Sequence, residues 1–356
     1  MKTCLFAFSF AVTLLSATAQ SCLPGGITFT SQAEMDNFPV NNPGCKVIEG
    51  SVFISSTTIQ NLNGLAQVEQ IGGDLLISSN PELLNLDGLA QLNSVGGVCR
   101  VQNNPLITHL DGLSSLEVVN GDFFYVGNNE LLTDIEGLAS LDTVRGIFQV
   151  WSHPELITLK GLDSLKFVGS NLAIFNNAKL ATLQGLEKLN RVGGDLRLEN
   201  NPLLNNIAAL HHPVAIQAAL VITGNTALGD CAVRAVCDYL MAPATFVAIS
   251  NNGNNCQSVP EVETACQALS AGSLQLQTLN LAPNPTAHGL NLSGLDPLKR
   301  YFIRIFNASG ALMHEVRTFG AGQHHWELTD WPDGPYFMQI RDDGGKQAIL
   351  PFVIAL

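Results

Sequence analysis

Residues that could carry chemistry are few and scattered in this chain. His211-His212 and His324-His325 are adjacent pairs, and Asp74, Asp122 and Asp195 each follow a glycine. Neighbouring side chains on an extended strand point to opposite faces, so neither histidine pair is built to share one metal ion. The three aspartates read as solvated turn residues. No nucleophile elbow, glycine-rich phosphate loop, zinc-protease helix or metal-binding carboxylate loop occurs. The expectation is a protein that is not an enzyme and uses no cofactor and no metal. Carboxylates from distant segments could still meet in space, which keeps a glycan-active hydrolase as an alternative reading.

The elements that would position any site come from composition and repetition. With 46% hydrophobic and 13% charged residues the 356-residue chain is core-forming. It carries 17 Lys+Arg against 30 Asp+Glu, a formal net charge of -13, which lacks the basic footprint of a nucleic-acid binder. Lys2, the apolar run to Ser16 and the small-residue site Ala17-Thr18-Ala19 read as a signal peptide over 1–19, too short for a membrane span. Export turns the cysteines into a disulfide framework. Cys22 and Cys45 precede the central segment, Cys231, Cys237, Cys256 and Cys266 follow it, and Cys99 lies within it as a small buried residue. A Cys22–Cys45 bridge closes a loop of about 24 residues, worth on the order of 3 kcal/mol. The other four allow three connectivities.

A motif recurs about every 24 residues, aligned on Gly64-Leu65, Gly88-Leu89, Gly112-Leu113, Gly137-Leu138, Gly161-Leu162 and Gly185-Leu186, with a degenerate copy at Ala209-Leu210. Each unit holds a short alternating strand, as in Leu75/Ile77, Phe124/Val126 and Leu196/Leu198. One unit cannot bury its own apolar face, so the units must stack into a parallel solenoid of about eight rungs. Asn80, Asn104, Asn129, Asn177, Asn201 and Asn225, with His153 in register, form one inward polar column, a structural asparagine ladder. Alternation also sets the outward residues. The middle rungs bring Phe123, Tyr125, Ile147, Trp151 and Phe175 together on the solvent side, bordered by Arg100, Asp195, Arg197 and Glu199, a candidate ligand-binding patch.

The "VIEGSVFI" strand followed by "GLAQLNSVGG" and "NNPLITHLDGL" units resembles the receptor L-domain family. That resemblance implies a right-handed parallel β-helix of leucine-rich repeats whose large sheet face takes ligands. The expected organisation is an N-terminal cap at 20–50, the solenoid at 51–228, a cysteine cap at 229–268 and a linker at 269–279.

Beyond the linker the pattern changes to alternating strands around Asn307–Gly310, Pro332–Gly334 and Asp343–Gly345, which reads as a small antiparallel β-sandwich over 280–356. "LAPNP", "FNASGALM" and "LTDWPDGPYFM" resemble the C-terminal sorting domain of the type IX secretion system, with Pro283, Asn284, Pro285, Gly310, Gly334 and Tyr336 as its motif positions. The resemblance implies type IX machinery as a partner and passage across the outer membrane to the surface or the medium. Together these features point to a non-enzymatic surface recognition or adhesion protein whose partner is an extracellular protein or glycan. A purely structural component of a surface layer is the other reading.

Overall fold

A computed structural model describes residues 20–241, 246–271, 279–286, 289–295, 299–319, 324–342 and 347–355. The expected signal segment lies outside these residues, as do positions 272–278 of the expected linker. The first part of that linker, up to residue 271, belongs to the helix Val259–Ala271. The fold is mainly β, in two compact units divided between Val262 and Glu263.

In the first unit every 24-residue repeat makes one turn of a solenoid. Its long strands form a ten-stranded parallel sheet, and its two-residue strands, such as Ser94–Val95, form a nine-stranded parallel sheet on a second side. Short 3-10 turns, such as Asp87–Leu89, mark the first four Gly-Leu pairs. The glycine there is a packing requirement. A Cβ on Gly88 would come within 1.8 Å of the Leu62 carbonyl oxygen one turn earlier. Strand register is unbroken, Leu75 facing Cys99, Cys99 facing Phe124, Phe124 facing Phe148 and Phe148 facing Leu172. Those inward residues are fully buried. In the middle rungs the column is filled by Phe124 and Phe148, stacked with centroids 4.9 Å apart. Burial of each large apolar side chain contributes roughly 1.5 to 3 kcal/mol.

The sheet runs past both ends of the expected solenoid. Ile27–Phe29 pairs in parallel with Val52–Ile54, and Phe246–Ser250 pairs in parallel with Ala219–Thr223, so segments read as caps each add a rung. The apolar ends are then covered. At the start, helix Gln32–Asn41 buries Met35 and Phe38, and its N-cap Ser31 accepts from the Glu34 N–H. Cys22 and Cys45 are joined there. At the far end Cys231 is joined to Cys256, Cys237 and Cys266 are also disulfide-bonded, and the Tyr239 hydroxyl donates to the Ala218 and Phe246 carbonyls. Cys99 is buried and unpaired, and burial pushes its thiol up to about 12.

The asparagines form a continuous hydrogen-bonded file at the turn that follows each long strand. Asn104 Oδ1 accepts from both the backbone N–H and the side-chain amide of Asn80, at 3.1 and 2.9 Å, while its own Nδ2 donates to the Ile77 carbonyl at 3.1 Å. Asn129, Asn177, Asn201 and Asn225 repeat the pattern, all fully buried. The file continues one residue further than the repeat suggests, to Asn252. The residue before each ladder position is left-handed, as at Asn103, Asn128, Asn176 and Asn200, with φ between 51° and 58°. Asparagine tolerates that conformation better than most residues, which explains the recurring Asn-Asn pairs.

The second unit is a sandwich of a three-stranded and a four-stranded antiparallel sheet. Its core includes Leu290, Leu292, Ile303, Ile305, Met338, Ile340 and Phe352.

Candidate functional site

The outward face of the long sheet has a grid set by strand register. Along one row Arg100, Tyr125, Gln149, Ala173 and Arg197 stand side by side, and along the next lie Gln102, Gly127, Trp151, Phe175 and Glu199. Phe123 pairs with Ile147 in a third row. All five residues of the expected patch therefore sit on one face of three consecutive strands, and each is partly exposed. The face does not stay open everywhere, because Val221, also an outward position, is buried.

The rings divide into two groups. Phe123 and Tyr125 lie with centroids 5.2 Å apart, and the Arg100 guanidinium stands 5.4 Å from the Tyr125 ring centre, within cation–π range. Burial raises the Tyr125 hydroxyl above its ordinary value, and the Arg100 charge acts the other way. Trp151 and Phe175 stack nearly parallel, with centroids 6.0 Å apart and 6° between planes. A Cβ on Gly127 would approach the Trp151 indole to 2.1 Å, so the absence of a side chain at Gly127 lets the indole lie against the neighbouring strand.

Beside Phe175 is a depression of about 350 Å³. Its floor is Ala173, the small member of a row flanked by Gln149 and Arg197. Phe175, Asn171, Glu199 and Asn200 complete the lining. Arg197 is held by its own strand, pairing with Asp195 at 3.0 Å and Glu199 at 3.2 Å, and the hydrogen bond to Asp195 is the first cause raising the guanidinium further. The aspartates that follow glycine turns need correction in two of three cases. Asp74 Oδ1 accepts from the Val98 N–H at 2.7 Å and Asp195 Oδ1 from the Ala219 N–H at 3.1 Å, so each ties one rung to the next. Asn171 does the same for the Asp195 N–H. Asp122 is exposed, as a solvated turn residue should be.

His153 occupies an asparagine position. Its Nε2 faces the Val126 carbonyl at 3.1 Å, and its Nδ1 lies 3.2 Å from the Asn129 carbonyl and 3.4 Å from the Asn129 backbone nitrogen, so the buried ring bridges two turns through both nitrogens. Burial lowers this imidazole below its ordinary value. The pair His211-His212 sits at a turn, where His212 contacts the Leu186 and Pro213 carbonyls, and His325 meets Asn291 Oδ1.

In the second unit the motif residues have structural work. The Asn284 side chain, between Pro283 and Pro285, donates to the Pro351 carbonyl and accepts from the Val353 N–H, pinning its turn to the last strand. Gly310 and Gly334 have φ of 82° and 144°, which favour glycine. Buried Tyr336 stacks on Phe352 and donates to the Pro332 carbonyl at 2.8 Å. Burial raises this phenol first, and Asp333 adds to the effect.

Sequence reasoning located the aromatic rows but passed over Gly127 and Ala173. Their signal was present, since both fall at outward positions of recognisable strands, where a glycine or alanine leaves room above the sheet.

Comparison with curated proteins finds no match. Two family models do match. Residues 280–354 match the Secretion system C-terminal sorting domain, which indicates secretion through the type IX system to the cell surface or extracellular space. No helix among the described residues is long and apolar enough to cross a membrane. Residues 44–137, the turns of the solenoid up to and including the strand that carries Phe123 and Tyr125, match the Receptor L domain.

Proposed function

We infer that the protein is a non-enzymatic recognition or adhesion protein, binding an extracellular protein or glycan through the outward face of its long sheet. The supporting observation is the grouping of Phe123, Tyr125, Ile147, Trp151 and Phe175 on three adjacent strands, rimmed by Arg100 and by the Asp195, Arg197 and Glu199 cluster. Aromatic side chains with charged neighbours are the usual anchors of binding surfaces. The folding unit does not require them there. Its core is complete beneath them, with Phe124, Phe148, Val126, Val150 and Ile174 fully buried on the inward side. The sorting tail supplies the address that brings such a face into contact with the surroundings.

The test is binding of the full chain to an array of glycans and surface proteins, alongside the double variant Tyr125→Ala/Trp151→Ala. A ligand bound by the parent and lost by a folded double variant supports the reading. A surface-layer role without a ligand is supported instead if neither protein binds and both self-associate alike.

A further inference from the structure

Three features of the depression over Ala173 narrow the ligand chemistry. The first is its shape. Trp151 covers one face of the Phe175 ring, and the depression lies on the side of Phe175 that leads to Arg197 and Glu199. A flat apolar wall thus faces a polar one across a small floor. At about 350 Å³ the space is at the low end for ligand sites, enough for a group of one or two rings.

The second is hydrogen-bonding capacity. Among the described residues the Gln149 side-chain amide makes no hydrogen bond, and Asn171, whose Oδ1 accepts from the Asp195 N–H, makes none through its Nδ2. Donors and an acceptor carboxylate therefore stand around an aromatic wall. A ligand that shows hydroxyls at its edges and C–H groups on its face matches both.

The third is charge. The lining holds one cation and one carboxylate, Arg197 and Glu199, paired at 3.2 Å, and Arg197 is further neutralised by Asp195 at 3.0 Å, so no unpaired positive charge is offered to an anionic ligand.

We propose that the Ala173 depression is a subsite for a neutral pyranose ring of a glycan, its C–H face on Phe175 and its hydroxyls on Gln149, Asn171 and Glu199. This rests on the reading of the sheet face as a recognition surface and adds a ligand class to it. Ala173 acts as the specificity-determining position, because a larger side chain would fill the floor of the depression.

The test is calorimetric titration of the full chain with a panel of neutral tetrasaccharides, cellotetraose, maltotetraose and N-acetylchitotetraose, and with tetragalacturonate as an anionic counterpart. The expected result is binding of at least one neutral chain, more tightly than tetragalacturonate, with about tenfold or greater loss in Ala173→Leu and in Phe175→Ala. Far-ultraviolet circular dichroism and thermal unfolding confirm that both variants fold. No binding across the neutral panel, preference for tetragalacturonate, or unchanged affinity in a folded Ala173→Leu variant would overturn the subsite. A protein ligand captured through Tyr125 and Trp151 but indifferent to Ala173→Leu would also overturn it, while leaving the recognition face intact.

Discussion

The Trp151 indole rests where the side chain of Gly127 would be, one strand earlier in the same sheet, with ring atoms 2.1 to 2.5 Å from the position of a Cβ there. The exposed aromatic row is thus laid flat by a residue that contributes no atoms to it. Gly127→Val would lift the indole off the sheet and separate it from Phe175. Ligand binding through this row should weaken by about tenfold, and the tryptophan emission should shift toward that of a more solvated indole. Stability should change little beside that loss. Titration and fluorescence on one preparation check both.

The ladder makes a different demand. Replacing Asn104 by Ala removes the acceptor for the Asn80 N–H and amide and the donor to the Ile77 carbonyl. Each buried group left without a partner costs roughly 1 to 3 kcal/mol. Asn104→Ala should therefore destabilise the first unit by on the order of 3 kcal/mol, read as a lower urea midpoint at unchanged slope.

His153 adds a pH dependence. Its lowered folded value means the unfolded chain takes up the proton first. The stability it contributes is complete above the ordinary value of 6.5 and is lost as the pH falls from there through the lowered folded value. Burial is the cause, and the contacts to the Asn129 and Val126 carbonyls offset part of it. His153→Asn, which restores the amide used at the other rungs, should flatten this dependence and make the variant the more stable protein at pH 5. Thermal unfolding between pH 5 and 8 checks it.

The tail carries a prediction about location. Removing residues 280–356 leaves the first unit's contacts intact and takes away the sorting domain. The truncated chain should accumulate inside the outer membrane of a cell equipped with the type IX system, while the parent reaches the surface or medium. Fractionation distinguishes the two.

Much of this architecture was legible because a solenoid writes long-range contacts as local periodicity. Leu75 faces Cys99 and Asn80 meets Asn104 at a separation of 24 residues, so a repeated motif and a period of two expose both the core and the ladder. The nine-stranded sheet was not legible, since a strand such as Ser94–Val95 buries one side chain and has no alternation to display. The end rungs Ile27–Phe29 and Phe246–Ser250 stand outside the Gly-Leu motif and were absorbed into the expected caps. At the face, Phe123, Tyr125, Trp151 and Phe175 are conspicuous by type. Gly127 and Ala173 shape the surface by what they lack, and Asp74 and Asp195 reveal their rung-to-rung bonds only when the next turn is in place.

The most direct measurement is the affinity of the full chain for a ligand found on a glycan and surface-protein array, compared with that of Tyr125→Ala/Trp151→Ala. Recognition through the sheet face requires the folded double variant to lose the ligand, by about a hundredfold if both rings are anchors. Equal binding by parent and variant would contradict it and place any recognition elsewhere on the chain.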